Sequence, residues 1–220
     1  MLIGHYSTAL VAKIAKPQLP LWQLFLAAQL IDIFWVGLTW IQLEYFELDF
    51  GLASNPLVLI HQPYTHSLLA ALLWGLATVL MCQYVFKLGK FAAWILGTVV
   101  ATHWLLDFFV HRPDLPLWAN IKVGLALWNY EQLAMGLELL LVAVAGGLLW
   151  QHSPAPAKFW YGGLLLLMLG AILVNYLTNS PHTEQGILLG ALAVYLIAPL
   201  LAWGVERRLH AAPDGYAVSS

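Results

Sequence analysis

Hydrophobic positions along this chain come in uninterrupted runs of about 20 residues separated by short polar stretches, the pattern of helices that cross a bilayer. Six runs are long enough to span a hydrocarbon core about 30 Å thick. They cover Pro20 to Leu43, His66 to Phe86, Phe91 to Val110, Leu127 to Trp150, Phe159 to Leu177 and Gly186 to Val205. Ahead of them, Leu2 to Ala15 is apolar but too short to cross, which predicts a re-entrant or interfacial helix. The expected fold is therefore all-α, a polytopic membrane helix bundle of about six transmembrane helices plus a short N-terminal membrane-embedded helix. It forms one integral membrane domain over 1–206, with a site-bearing part at 1–145, scaffold helices at 158–206 and a short cytoplasmic tail at 207–220. No internal repeat is evident.

Composition narrows the class further. Of 220 residues, 61% are hydrophobic and 9% charged, against about 25% charged in a soluble domain, and the mean hydropathy is +0.78. A soluble globule is excluded. The net charge of −2 offers no basic surface, so nucleic acid is not an expected partner. The single cysteine, Cys82, excludes a disulfide framework and a thiolate metal cluster. Lys13 and Lys16 follow the first apolar residues rather than precede them, so that segment is read as retained, not as a cleaved signal. With six spans, Lys13, Lys16, Lys87, Lys90, Lys158, Arg207 and Arg208 fall on one side and only Arg112 and Lys122 on the other. Basic residues favour the cytoplasmic face, which predicts cytoplasmic termini. The loops Glu44 to Thr65, His111 to Ala126 and Thr178 to Gln185 then lie outside.

Ionisable residues inside hydrocarbon are costly and need a partner or a task. Here they gather in the first four spans: Asp32 in LIDIFW, His61 and His66 in HQPYTHSLL, His103, Asp107 and His111 in THWLLDFFVHRPD, and Glu131 and Glu138 in NYEQLAMGLE. The last two spans have none. At about 1.5 Å per residue, Asp32, His66, His103, Asp107 and Glu138 share a band from mid-depth to the outer boundary. The four-residue spacing of His103, Asp107 and His111 places them along one helix face. Imidazoles and carboxylates from neighbouring helices are a nitrogen and oxygen ligand set for zinc first, or for manganese or iron. A bound divalent ion would acidify water and polarise a phosphoryl or carbonyl oxygen. Glu138 or Asp107 could serve as general base, and Arg112 could hold a substrate phosphate. Taken singly, Asp32 or Glu138 could equally be an interhelical hydrogen-bonding carboxyl, and His103 with Asp107 a structural pair.

These residues stand in motifs that resemble the YdjM-like family of bacterial inner-membrane proteins, described as membrane-bound metal-dependent hydrolases and sometimes as permeases. The resembling segments run from about Ile3 to Val144. They are GHYSTALVAK with His5, LFLAAQLIDIFW with Asp32, QPYTHSLL with His66 and Ser67, THWLLDFFVHRPDLPL with His103, Asp107, His111 and Asp114, and GLALWNYEQLAMGLE with Trp128, Asn129 and Glu138. Pro63 and Tyr64 stand where the wider family often has Arg-Gly. The resemblance implies a metal site and adds His5, which a helix dipping in from the cytoplasmic edge would raise by about 12 Å towards that site.

The combined expectation is a metal-dependent hydrolase in the bacterial inner membrane, acting on a phosphoester or lipid-like substrate in its outer half. Its metal candidates are His66, His103, Asp107 and Asp32, followed by His5 and His111. Glu138 and Asp107 are the acid/base candidates, and Arg112 and Ser67 the substrate contacts. The rival expectations are a proton- or cation-coupled transporter built on the same groups, and a non-enzymatic scaffold.

Overall fold

The computed structural model describes residues 1–178 and 183–210. It is helical apart from two small hairpins. Helices α5 (Lys90–Val110), α6 (Glu131–His152), α7 (Ala155–Leu177) and α8 (Glu184–His210) are the four long and apolar enough to cross a membrane. The first expected span is a broken pair, α2 (Leu21–Ala28) and α3 (Leu30–Trp40), bent by 48°. No proline or glycine sits at the break. Gln29 does, and its side-chain amide donates to Leu2 O at 2.8 Å, so the bend ties this pair to the N-terminal segment. It also places Asp32 in the first turn of α3. The second expected span is α4 (Leu68–Tyr84), whose 17 residues give a helix of about 25 Å.

Helix α1 (Tyr6–Ala15) is only 10 residues long and packs against α2, α5 and α6 with Tyr6 and Ala9 fully buried. Met1 is buried too, its main-chain nitrogen 2.7 Å from Asp107 Oδ1. Met1 thus lies at the polar cluster, and α1 runs from there towards the basic turn at Lys13–Lys16. That turn is locked to the far end of α8. Lys13 donates to Pro17 O, Leu19 O and Glu206, while the other Glu206 oxygen accepts from Leu21 N.

Helices α4 and α5 cross closely at two glycines. A Cβ on Gly75 would stand 2.8 Å from Gly97 O, and one on Gly97 would stand 2.6 Å from Gly75 O. This contact fixes α5, which carries His103 and Asp107 and is capped by His111. Two segments expected as plain loops hold antiparallel hairpins, β1 (Tyr45–Leu48) with β2 (Leu57–His61) and β3 (Leu115–Trp118) with β4 (Ile121–Val123). Helix α8 continues through Arg207 and Arg208, the first residues of the expected tail, to His210. The rest of that tail, and 179–182 of the third outer loop, lie outside the described residues.

Candidate metal centre

Helix α5 supplies the centre. Its i,i+4 face presents His103 and Asp107, and His111 caps its C-terminus, the His111 N–H donating to Asp107 O at 2.9 Å. The end of α5 is held by an unusual crossing: Leu125 N donates to Phe108 O and Ala126 N to His111 O. These bonds satisfy carbonyls that a helix end leaves open. Gly124, at φ +152°, makes the crossing possible, since a Cβ there would run into the carbonyls of His111 and Arg112. Ser67 caps α4, its Oγ accepting from Ala70 N at 3.0 Å and donating to Pro63 O at 2.8 Å, and this turn sets the position of His66.

The side chains meet around two carboxylates. Asp32 Oδ1 lies 3.2 Å from His66 Nε2 and 3.4 Å from His103 Nε2. Asp107 Oδ2 lies 3.2 Å from His103 Nε2, 3.8 Å from His66 Nε2 and 4.0 Å from His111 Nε2. On the other Asp107 oxygen, His5 Nε2 is 3.1 Å away, and the His5 ring stacks on His103 with centroids 3.7 Å apart. All of these residues are buried.

The second nitrogen of each ring decides what the first can do. His103 Nδ1 is 2.9 Å from Ala28 O, and a carbonyl only accepts, so Nδ1 carries the proton. His66 Nδ1 is 2.9 Å from Thr65 Oγ1. That hydroxyl gives its own hydrogen to Glu44, leaving only lone pairs for His66, so Nδ1 is again the donor. Glu44 is pinned in turn by Tyr64 N and Thr65 N. His111 Nδ1 faces Asp114 Oδ1 at 3.4 Å, and Asp114 is itself anchored by Leu59 N. In the neutral rings, therefore, the Nε2 lone pairs of His66, His103 and His111 all point at carboxylate oxygens. Lone pair against lone pair is repulsive unless positive charge sits between them.

A divalent cation is one such charge, and the donor set fits it. Ligand atoms about 2.0–2.1 Å from a tetrahedral zinc are about 3.3–3.4 Å apart, close to the 3.2 and 3.4 Å from Asp32 to His66 and His103 and the 3.2 Å from His103 to Asp107, while His66 and Asp107 stand 3.8 Å apart. Two overlapping groups could hold an ion, Asp32–His66–His103 and His5–His103–Asp107. Nε2 of His103 and both ring nitrogens of His5 make no hydrogen bond among the described residues, although they are buried. Outer hydrogen bonds from Nδ1 to a carbonyl, a hydroxyl or a carboxylate are also what metal-bound histidines use to fix orientation.

Not every expected residue joins this cluster. Glu138 lines the same cavity, but one of its oxygens accepts from Ile3 N and Gly4 N and the other from the Tyr176 hydroxyl. Ser67 is occupied by its cap. Arg112 braces the first hairpin: Nε donates to Asn129 Oδ1 at 2.7 Å and one terminal nitrogen to Asn55 O and Leu57 O, while the other terminal nitrogen makes no hydrogen bond among the described residues. Burial lowers its pKa from the usual guanidinium value. Lys122 does the same work on Leu59 O and Ile60 O.

A cavity of about 410 Å³ opens from the cluster. Asp32, His66, Asp107 and His111 face it, and α7 and α8 form its far wall. From these two helices come neighbours of the site that the spacing does not single out: the Tyr176 hydroxyl donates to Glu138, and Tyr195 lines the cavity with Asp32. Both tyrosines look like ordinary interfacial aromatics in the sequence. The adjacency of Thr65 to His66, and of Asp114 to the end of α5, were signals that could have revealed the outer hydrogen bonds.

Compared with family models, characterised proteins and solved structures, the chain matches none, so its resemblance to YdjM-like proteins rests on the motifs alone.

Proposed function

We propose that this protein is a metal-dependent hydrolase of the YdjM-like type, embedded in the bacterial inner membrane and acting on a phosphoester or lipid-like substrate in the outer half of the bilayer. The observation that carries this reading is the convergence of imidazole Nε2 atoms, with Nδ1 already committed to acceptors, on the carboxylates of Asp32 and Asp107. The topology that goes with it has six crossings, the bent α2–α3 pair and the 17-residue α4 each counting as one. The basic turn at Lys13–Lys16 and the end of α8 then face the cytoplasm.

Asp32, His66, His103 and Asp107 would hold the ion, zinc first and manganese or iron next, with His5 and His111 flanking. When bound, a divalent cation supplies Lewis-acid polarisation of the scissile group and brings the pKa of water to about 7. The chain's own groups do the rest. His111, held at Nδ1 by Asp114, presents Nε2 to the cavity, where it can take a proton from water and return it to a leaving group. Asp107 keeps His103 and His111 oriented. Glu138, with both oxygens engaged, holds the Ile3–Gly4 turn in place rather than moving protons.

The test is hydrolysis of phospholipids and isoprenoid phosphates by metal-replenished protein in detergent. The reading expects turnover that disappears with a chelator, returns with one added metal and is absent in His103→Ala. Turnover unaffected by chelation, or none with any divalent metal, would count against it.

A further inference from the structure

We infer that α7 and α8 form the hydrocarbon half of the substrate site, so that the ligand is a membrane lipid with its polar head at the His/Asp cluster and one long chain in the cleft between these helices. The inference deepens the hydrolase reading and rests on it for what happens to the lipid once bound.

The cavity that begins at Asp32, His66 and Asp107 ends against Ala171 and Val174 of α7 and Ile187, Gly190, Ala191 and Val194 of α8. Ala171, Val174 and Gly190 line it and yet remain exposed, so the cavity is open on the side where these helices face the bilayer. Ala171 is 16 residues along α7 from Ala155, about 24 Å above the cytoplasmic end. The opening therefore lies at hydrocarbon depth in the outer half. Asn55, Asn175 and Thr178 lie on the same lining, nearer the outer boundary.

A lipid chain gains little by exchanging bilayer for an apolar wall, since both are equally apolar, so the wall acts by shape. Ala171, Gly190 and Ala191 are small, and a Cβ on Gly190 would find nothing within 4 Å. The cleft thus has calibre for a chain and offers water few partners. No Lys or Arg lines the cavity among the described residues. The Met1 ammonium, 2.7 Å from Asp107 Oδ1, and a cation held at the cluster would both draw a phosphate head to that end, which places head and chain at opposite ends.

The experiment uses the full-length protein in vesicles with two probes, a phosphatidylglycerol and a polyisoprenyl phosphate, each carrying a diazirine on its chain. Peptide mapping after illumination is compared for wild type, Gly190→Phe and, on the facing wall, Val174→Trp. We expect labels from at least one probe on Ala171, Val174, Ala191 or Val194, reduced about tenfold by either filling variant, with bound metal unchanged. Leu200→Phe, on the lipid-facing side of α8, leaves the labels in place. Inner-wall labelling in protein that hydrolyses nothing supports the lipid site and removes the hydrolase reading. Labels scattered over the exposed Leu166, Leu189 and Leu200 and indifferent to both filling variants overturn the site, even if hydrolysis is observed.

Discussion

Two buried polar centres lie at opposite ends of α1, and they differ in how completely they satisfy themselves. At the end near Lys16, the three ammonium hydrogens of Lys13 meet three acceptors, and Glu206 accepts from both Lys13 and Leu21 N. At the other end, His5, His66, His103 and His111 surround Asp32 and Asp107, and buried nitrogens of His5 and His103 are left without a hydrogen bond. Both centres are desolvated, so the contrast is not one of burial. A polar centre whose only task is to hold helices together can evolve to full satisfaction. One that leaves several donor atoms aimed at a common point is arranged for something it does not itself contain.

The largest effect expected from breaking this contrast is at the closed centre. Glu206→Ala strands a buried ammonium and should destabilise the protein by about 3–5 kcal/mol, read as a loss of thermal stability in detergent. Replacing both Lys13 and Glu206 by Met should recover most of that loss. Metal content per folded molecule should stay at the wild-type level in both cases, and a metal loss here would mean that the centres are not separate. A smaller effect, and one on metal instead of stability, is expected from Thr65→Val. It removes the acceptor that fixes the His66 ring and should weaken metal affinity about 10–100-fold, measured by competition with a chromophoric chelator. Unaltered affinity would show that the Glu44–Thr65–His66 chain does not orient a ligand. The smallest is Ser67→Ala. Loss of the α4 cap should cost about 1 kcal/mol of stability with little change in metal binding, whereas a loss of substrate binding at unchanged stability would return Ser67 to the substrate contacts.

The parts of this arrangement that could be read in the sequence are those governed by helical period and by the cost of charge in hydrocarbon. His103, Asp107 and His111 declare a shared face by spacing alone, and Asp32 stands out in an apolar run. Partners set by tertiary approach do not declare themselves. Ala28 O, which fixes His103, is a backbone atom, and Tyr195 and Tyr176 are indistinguishable in sequence from aromatics at a membrane boundary. The last two helices read as scaffold because they carry no ionisable residue within their apolar runs, but a wall for an apolar ligand needs none. The bend at Gln29 was hidden because the usual breakers, proline and glycine, are missing from it. The first hairpin left only a short apolar run, Leu57 to Ile60 just after Asn55–Pro56, overshadowed by the much longer spans. Arg112 shows a second role that the sequence did not declare: a cation beside a ligand-like histidine suggested phosphate binding, and in the fold its Nε and one terminal nitrogen also brace Asn129 and the first hairpin.

Elemental analysis of the purified protein beside a His103→Ala, Asp107→Ala double variant of equal helicity tests the central claim most directly. The account predicts near-stoichiometric zinc, manganese or iron in the wild type, lost in the variant. Metal-replenished wild type that retains no ion would contradict it, and protons alone would then hold the histidines and aspartates of the open centre together.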